Sequence, residues 1–125
     1  MFGVDTDSIG VVTLLRVTGA DTTNPIVTAA WASNAAVTNS HAAPSISPAV
    51  GGLLVCGWYF VVLPVNATTW TLPAGFTADG IVAQAGAYGQ QIVGHKTVSA
   101  GATGTQTATS SISSSALGNL GVSFV

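Results

Sequence analysis

One stretch constrains this chain more than any other: Leu53-Leu54-Val55-Cys56-Gly57-Trp58-Tyr59-Phe60-Val61-Val62-Leu63. Pro48 and Gly51-Gly52 precede it and Pro64 follows it. It carries no charge, and its only strong polar demands are the Trp58 indole N–H and the Tyr59 phenol. β-branched and aromatic residues favour a strand, and a strand shows alternate residues to opposite faces. One face then carries Leu53, Val55, Gly57, Tyr59, Val61 and Leu63. The other carries Leu54, Cys56, Trp58, Phe60 and Val62. Both faces are apolar, so both need cover, whereas a small antiparallel domain normally leaves one sheet face in water. One face is expected to form a core with Leu120, Val122 and Phe124. The other is expected to lie under a loop, residues 29–37, or under a neighbouring subunit. Exposed Trp58 and Tyr59 in an isolated copy would point to the neighbour.

A membrane helix does not fit this run. Between Pro48 and Pro64 it is about fifteen residues long, short of the roughly twenty that span a bilayer, and it lacks basic flanks. Met1-Phe2-Gly3-Val4-Asp5 has neither the basic region nor the apolar core of a secretory signal. A location outside a cell would need another route, such as lysis, or a sequence that is a mature or partial chain.

Charge is the second constraint. Charged residues make up 5% of the chain, against roughly 25% in ordinary globular proteins. They are Asp5, Asp7, Arg16, Asp21, Asp79 and Lys96, with none between Asp21 and Asp79. Hydrophobic content is 48% and the formal net charge is −2. Net charge is what keeps copies apart in solution, so this surface reads as one built to be buried against copies of itself or another protein. Two separated basic residues cannot supply a phosphate-binding patch, which excludes nucleic acid. The single cysteine, Cys56, excludes an internal disulfide and reads as a small buried hydrophobe.

In chain order, residues 1–8 read as a short lead-in and 9–17 as a strand, with Arg16 near its end where a long side chain reaches water. Thr18-Gly19-Ala20-Asp21-Thr22-Thr23-Asn24-Pro25 is loop chemistry. Residues 26–28 are extended, and 29–37, rich in alanine without a helical period, are a loop or a short edge strand. Ser45-Ile46-Ser47, between prolines, suits a short edge strand. A short strand is expected around 69–72, a turn at Asp79-Gly80, and strands at 81–88 and 90–98. After a turn at 99–104, residues 105–112 read as a solvent-facing Thr/Ser strand, 113–117 as a polar turn and 119–125 as a final strand. The result is a single all-β domain over residues 1–125, an antiparallel β-sandwich of jelly-roll type. It has about seven to nine short strands and no long helix.

Four stretches taken together resemble a known group. They are Val17-Thr18-Gly19-Ala20-Asp21-Thr22-Thr23-Asn24-Pro25-Ile26, His41-Ala42-Ala43-Pro44-Ser45-Ile46, Trp70-Thr71-Leu72-Pro73-Ala74-Gly75-Phe76-Thr77 and Gly101-Ala102-Thr103-Gly104-Thr105. Their order and spacing are similar to β-sandwich domains of tailed-phage and prophage structural proteins, including head-decoration and tail-associated proteins. The resemblance covers about residues 10–125 and rests on turn and strand chemistry. It implies a virion structural role, with copies of itself or other virion proteins as partners, and it carries no catalytic residues to transfer.

The remaining side chains offer little chemistry. Asp5 and Asp7, with Asp21, could gather around calcium, but the glycine and distal glutamate of an EF-hand loop are missing, and solvated acids are the plainer reading. His41, His95 and Cys56 are too few for a zinc site once Cys56 is buried. Serines abound without a Gly-x-Ser-x-Gly elbow. The chain therefore reads as a non-enzyme without metal or cofactor. Asn66-Ala67-Thr68 fits a glycosylation sequon that matters only in a secretory pathway. Trp31, Trp58, Tyr59, Trp70 and Phe76 are the candidate interface or ligand residues. As a platform, Trp31, Trp58, Trp70, Phe76 and Tyr88 would suit sugar rings and make the chain a carbohydrate-binding, host-attachment module. In the plainer reading Trp58 is core, and Trp70 and Phe76 pack their turn onto the sandwich. A subunit of an extracellular filament is a further alternative that the low charge would suit.

Overall fold

The computed structural model describes residues 13–61, 68–83 and 89–124, with the backbone path alone at 34–35, 61, 82–83 and 114–124. Among the described residues the chain is all-β and antiparallel, without a helix. Its strands are β1 (Ile26–Ala43), β2 (Gly52–Val61), β3 (Trp70–Thr71), β4 (Thr77–Ala83), β5 (Gln90–Val98) and β6 (Gln106–Phe124). The strand order is β1-β6-β2-β5-β4, with β3 also paired to β6. The first strand thus pairs with the last, and the second with the second from last. This nesting is the pairing logic of a jelly roll. The central position of β2 follows from its sequence, because a strand apolar on both faces is stable only where neighbours cover it.

Two strands are longer than expected. β1 runs 18 residues and β6 runs 19, so six strands stand among the described residues in place of seven to nine short ones. Each long strand has two legs. The early leg of β6 pairs with β3 at Ser110 and Thr109 and with β1 at residues 40–43. Its late leg pairs with β2 and with the start of β1. β-Bulges interrupt the ladder, with register shifts at Ile26/Thr28, Ala32/Asn34, Asn34/Val37 and Thr38/Ser40. Bulges bend and twist a strand, and here the 40–43 and 106–110 legs come to lie over the face of β2. One folded sheet therefore supplies both layers of the sandwich.

The core forms between those layers. Leu54, Cys56, Trp58 and Ile92 cluster with Ala43, Ile46 and Ala108, all buried. Trp58 is fully enclosed, and its indole N–H donates to the Gln106 carbonyl oxygen at 3.1 Å. Burying a side chain of this size stabilises by about 2–3 kcal/mol. Leu120, Val122 and Phe124 do not supply the opposing layer. The register sets Leu120 beside Gly57, Val122 beside Val55 and Phe124 beside Leu53 in the same sheet. The opposing layer comes from residues 41–46 and 106–110. The early part of β6 is accordingly half-buried and not solvent-facing, because Gln106, Ala108 and Ser110 turn inward while Thr107, Thr109 and Ser111 face out.

The second face of β2 is covered by the same chain. Val55 and Gly57 are buried, and Leu53 and Tyr59 half-buried. Residues 15–20 border this face across two open clefts of about 220 and 300 Å3, both of which reach Leu53. The Thr13 hydroxyl donates to Gln91 Oε1 on β5 at 3.0 Å. The cover within the chain is thus not residues 29–37, which belong to β1. Residues 13–17 are not in a strand, because they lie on the sheet and do not join its edge; residues 9–12 of that expected strand fall outside the described residues. Residues 45–47 are likewise not a strand, yet Ile46 O accepts from Thr103 N–H at 2.8 Å and Pro48 O from Gly101 N–H at 2.9 Å.

The expected Asp79-Gly80 turn is a bulge inside β4, between the pairs Ala78–Gly94 and Gly80–Val93. The turn lies earlier, at Pro73-Ala74-Gly75-Phe76, where Phe76 N–H donates to Pro73 O at 3.2 Å. Gly75 has φ +81° there, the backbone a type II turn asks of its third residue. Gly94 marks a close approach: a Cβ there would meet Thr77 O at 2.8 Å and Leu72 Cδ1 at 3.0 Å.

Candidate functional site

Most of the aromatic residues assemble inward. Trp58 meets Phe76 edge to face, with centroids 5.5 Å apart. The Lys96 ammonium sits 4.8 Å above the Phe76 ring and donates to Gln106 Oε1 at 2.8 Å. The Trp70 ring lies 5.0 Å from Phe60 and 5.2 Å from His41, and its N–H donates to Gln90 Oε1 at 2.7 Å. Trp70 and Phe76 are half-buried by these contacts, so they fasten the turn between them onto the sandwich. Tyr59 is half-buried on the other face of β2, and its hydroxyl has no partner among the described residues. Of the five aromatic candidates only Trp31 stands in solvent, 71% exposed. The five do not share a face, and Tyr88 lies outside the described residues.

His41 is enclosed and bonded. Its ring stacks on Phe60 at 5.6 Å, and its Nε2 lies 2.9 Å from Ser110 Oγ. Ser110 has one hydroxyl proton and donates it to Ile112 O at 2.6 Å, so Nε2–H is the donor to Ser110. Nδ1 is then the bare nitrogen, buried without a partner among the described residues. Burial holds the imidazole below its ordinary pKa. A serine with its proton engaged, beside an imidazole that no carboxylate orients, fixes a ring in place and does not form an activated nucleophile. Burial pushes the Cys56 thiol up to about 12, against a smaller opposing effect of Lys96. It is therefore neither a thiolate ligand nor a nucleophile.

The Asp79 bulge turns its carboxylate toward His95, which donates from Nδ1 at 2.7 Å. Bulges commonly re-aim a side chain in this way. The pair borders the smaller cleft together with Arg16, Leu53 and Val55. Nothing in the sequence separates this pairing from two unrelated polar residues, because the bulge that creates it looked like a turn. Asp21 accepts from the Thr23 and Asn24 amides at 2.6 and 3.2 Å, and these bonds hold its carboxyl below the usual range. Asp5 and Asp7 lie outside the described residues. Among the described residues no three His, Cys, Asp or Glu side chains gather around a common point.

Among the described strands, β1 stands at an edge of the sheet. β1 ends the strand order and pairs only with β6 among the described strands. It carries no Asp, Glu, Lys or Arg, and Ile26, Trp31 and Val37 along it are 56%, 71% and 74% exposed. Composition foretold the missing charge but not the edge, nor the places of Ile26 and Val37 on it. Comparison with known protein families, curated proteins and solved structures finds no match for this chain.

Proposed function

We propose that this chain is a structural subunit of a repetitive assembly, a capsid-decoration or tail-associated subunit of a phage particle. It works by burying uncharged surface and pairing strand edges. The observation that carries this reading is the outer edge of β1, 18 residues without a charge and with three large apolar side chains in solvent. Charge, proline, brevity and β-bulges blunt such an edge; β1 has no charge and no proline within its 18 residues, and its bulges leave residues 28–32 in regular register. The virion setting comes from the resemblance of the turn stretches. A glycan platform is less well supported, because flat exposed rings are needed and, among the described members of the candidate set, only Trp31 offers one. Light scattering on the purified protein over rising concentration tests the proposal. An average mass that grows in whole multiples of the chain is expected, and a monomer at every concentration overturns it.

A further inference from the structure

We infer that β1 pairs with β1 of a second copy, antiparallel, about a two-fold axis at Ala30. This rests on the proposed subunit role and names its partner. The two edges of the sheet differ in the way this requires. β4 is 7 residues long, bulged at Asp79, and carries that charge. β1 is bulged too, but it is 18 residues long and uncharged.

The bulges decide where on β1 a second strand fits. Regular pairing with β6 survives over residues 28–32, 37–38 and 40–43, between the register shifts, and 37–38 is too short to hold a second strand. The 40–43 stretch is blunted. The Ser40 amide is taken by Thr38 Oγ1 at 3.1 Å, and Pro44, which has no N–H, follows it. Residues 28–32 carry no such block. A strand that pairs with its own copy does so about a two-fold axis, so the same patch serves both sides. The midpoint of 28–32 is Ala30. Centred there, Ala29 of each copy lies opposite the second copy's Trp31.

The side chains suit that register. Ala29 and Trp31 are exposed on one face, while Thr28, Ala30 and Ala32 are half-buried. Each Trp31 ring then covers the methyl group of the second copy's Ala29, a large residue against a small one, twice over. A second copy is also the occupant that the charge pattern favours. A foreign partner is usually selected by complementary charge, and neither β1 nor its neighbour β6 has any to offer. Identical uncharged strands meet without like-charge repulsion.

Cross-linking and charge exchange test this together. Paired residues across a strand interface stand about 5.5 Å apart, within disulfide reach. Mild oxidation of Ala30→Cys should give a covalent dimer while wild type, with its buried Cys56, gives none. Ala29→Glu and Trp31→Lys should each lose the dimer by light scattering, and the double variant should regain it by setting opposite charges face to face. Cross-linking without that recovery overturns the Ala30 axis. An oligomer that neither cross-links nor responds to Trp31→Lys overturns the edge pairing and leaves the subunit role standing. A monomer throughout overturns both.

Discussion

The inner face of β2 and the outer edge of β1 both present large apolar side chains without a formal charge, and the fold treats them oppositely. Leu54, Cys56, Trp58 and Phe60 are sealed within the chain. Ile26, Trp31 and Val37 are left in water. Neither region has a formal charge, and each holds a tryptophan. The difference is position in the sheet: β2 has β6 and β5 on its two sides, and among the described strands β1 has β6 alone. Apolar composition states how much surface must be buried, and topology decides whether the chain or its partner buries it.

Substitutions at the two tryptophans break this comparison most sharply. Trp58→Ala empties the centre of the core, orphans the Gln106 carbonyl from its indole bond and should lower unfolding stability by about 3–5 kcal/mol in denaturant titration. A loss below about 1 kcal/mol would mean that the two layers are not locked there. Gly94→Val probes the same interior from the opposite strand. Its side chain collides with Thr77 O and Leu72, and overpacking of this kind costs about 1–3 kcal/mol.

Acidification loads the interior without a mutation. The folded state holds the His41 pKa below its ordinary value by burial, and the unfolded chain titrates at about 6.5. The folded state thus prefers the neutral ring. Its contribution is fully present above pH ~6.5 and is lost as the pH falls through that value toward the folded pKa. Phe60, Trp70 and Ser110 face the ring, and none offers a charge to offset protonation. Thermal midpoints should therefore drop on acidification, and His41→Gln, less stable throughout, should drop less. An equal slope in both proteins would place the acid sensitivity elsewhere.

The smallest effect is expected at the edge. Trp31→Ala should change the stability of the dilute monomer by no more than about 0.5 kcal/mol, while association is lost. A large stability loss would mean that Trp31 is packed within its own chain, and the two regions would no longer differ.

Much of the sheet is written in the sequence. The β2 run and the 90–98 strand both announce themselves by β-branched residues between Gly and Pro breaks, and both form where expected. Residues 29–37 read as a loop or a short edge strand and 113–117 as a polar turn, since small and polar residues carry no alternation. They are strands because they pair with one another, Ala32 with Asn119 and Asn34 with Ala116. That partner is some 80 residues away in the chain, and β-propensity is set largely by such neighbours. Asp79-Gly80 has the residues of a turn and forms a bulge, because β5 pairs on both sides of it. The site was legible to the same extent. Missing charge pointed to buried surface, and Trp31 stood among the candidates, but its exposure depends on β1 being the last strand of the sheet.

Hydrogen exchange at residues 28–32 reads whether β1 pairs with a second copy in solution. As the protein is concentrated, amides on the outer side of β1 should become protected over this stretch, while the interior amides of β2 stay as slow as in dilute solution. Exchange along β1 that is unchanged from dilute to concentrated protein would contradict the account.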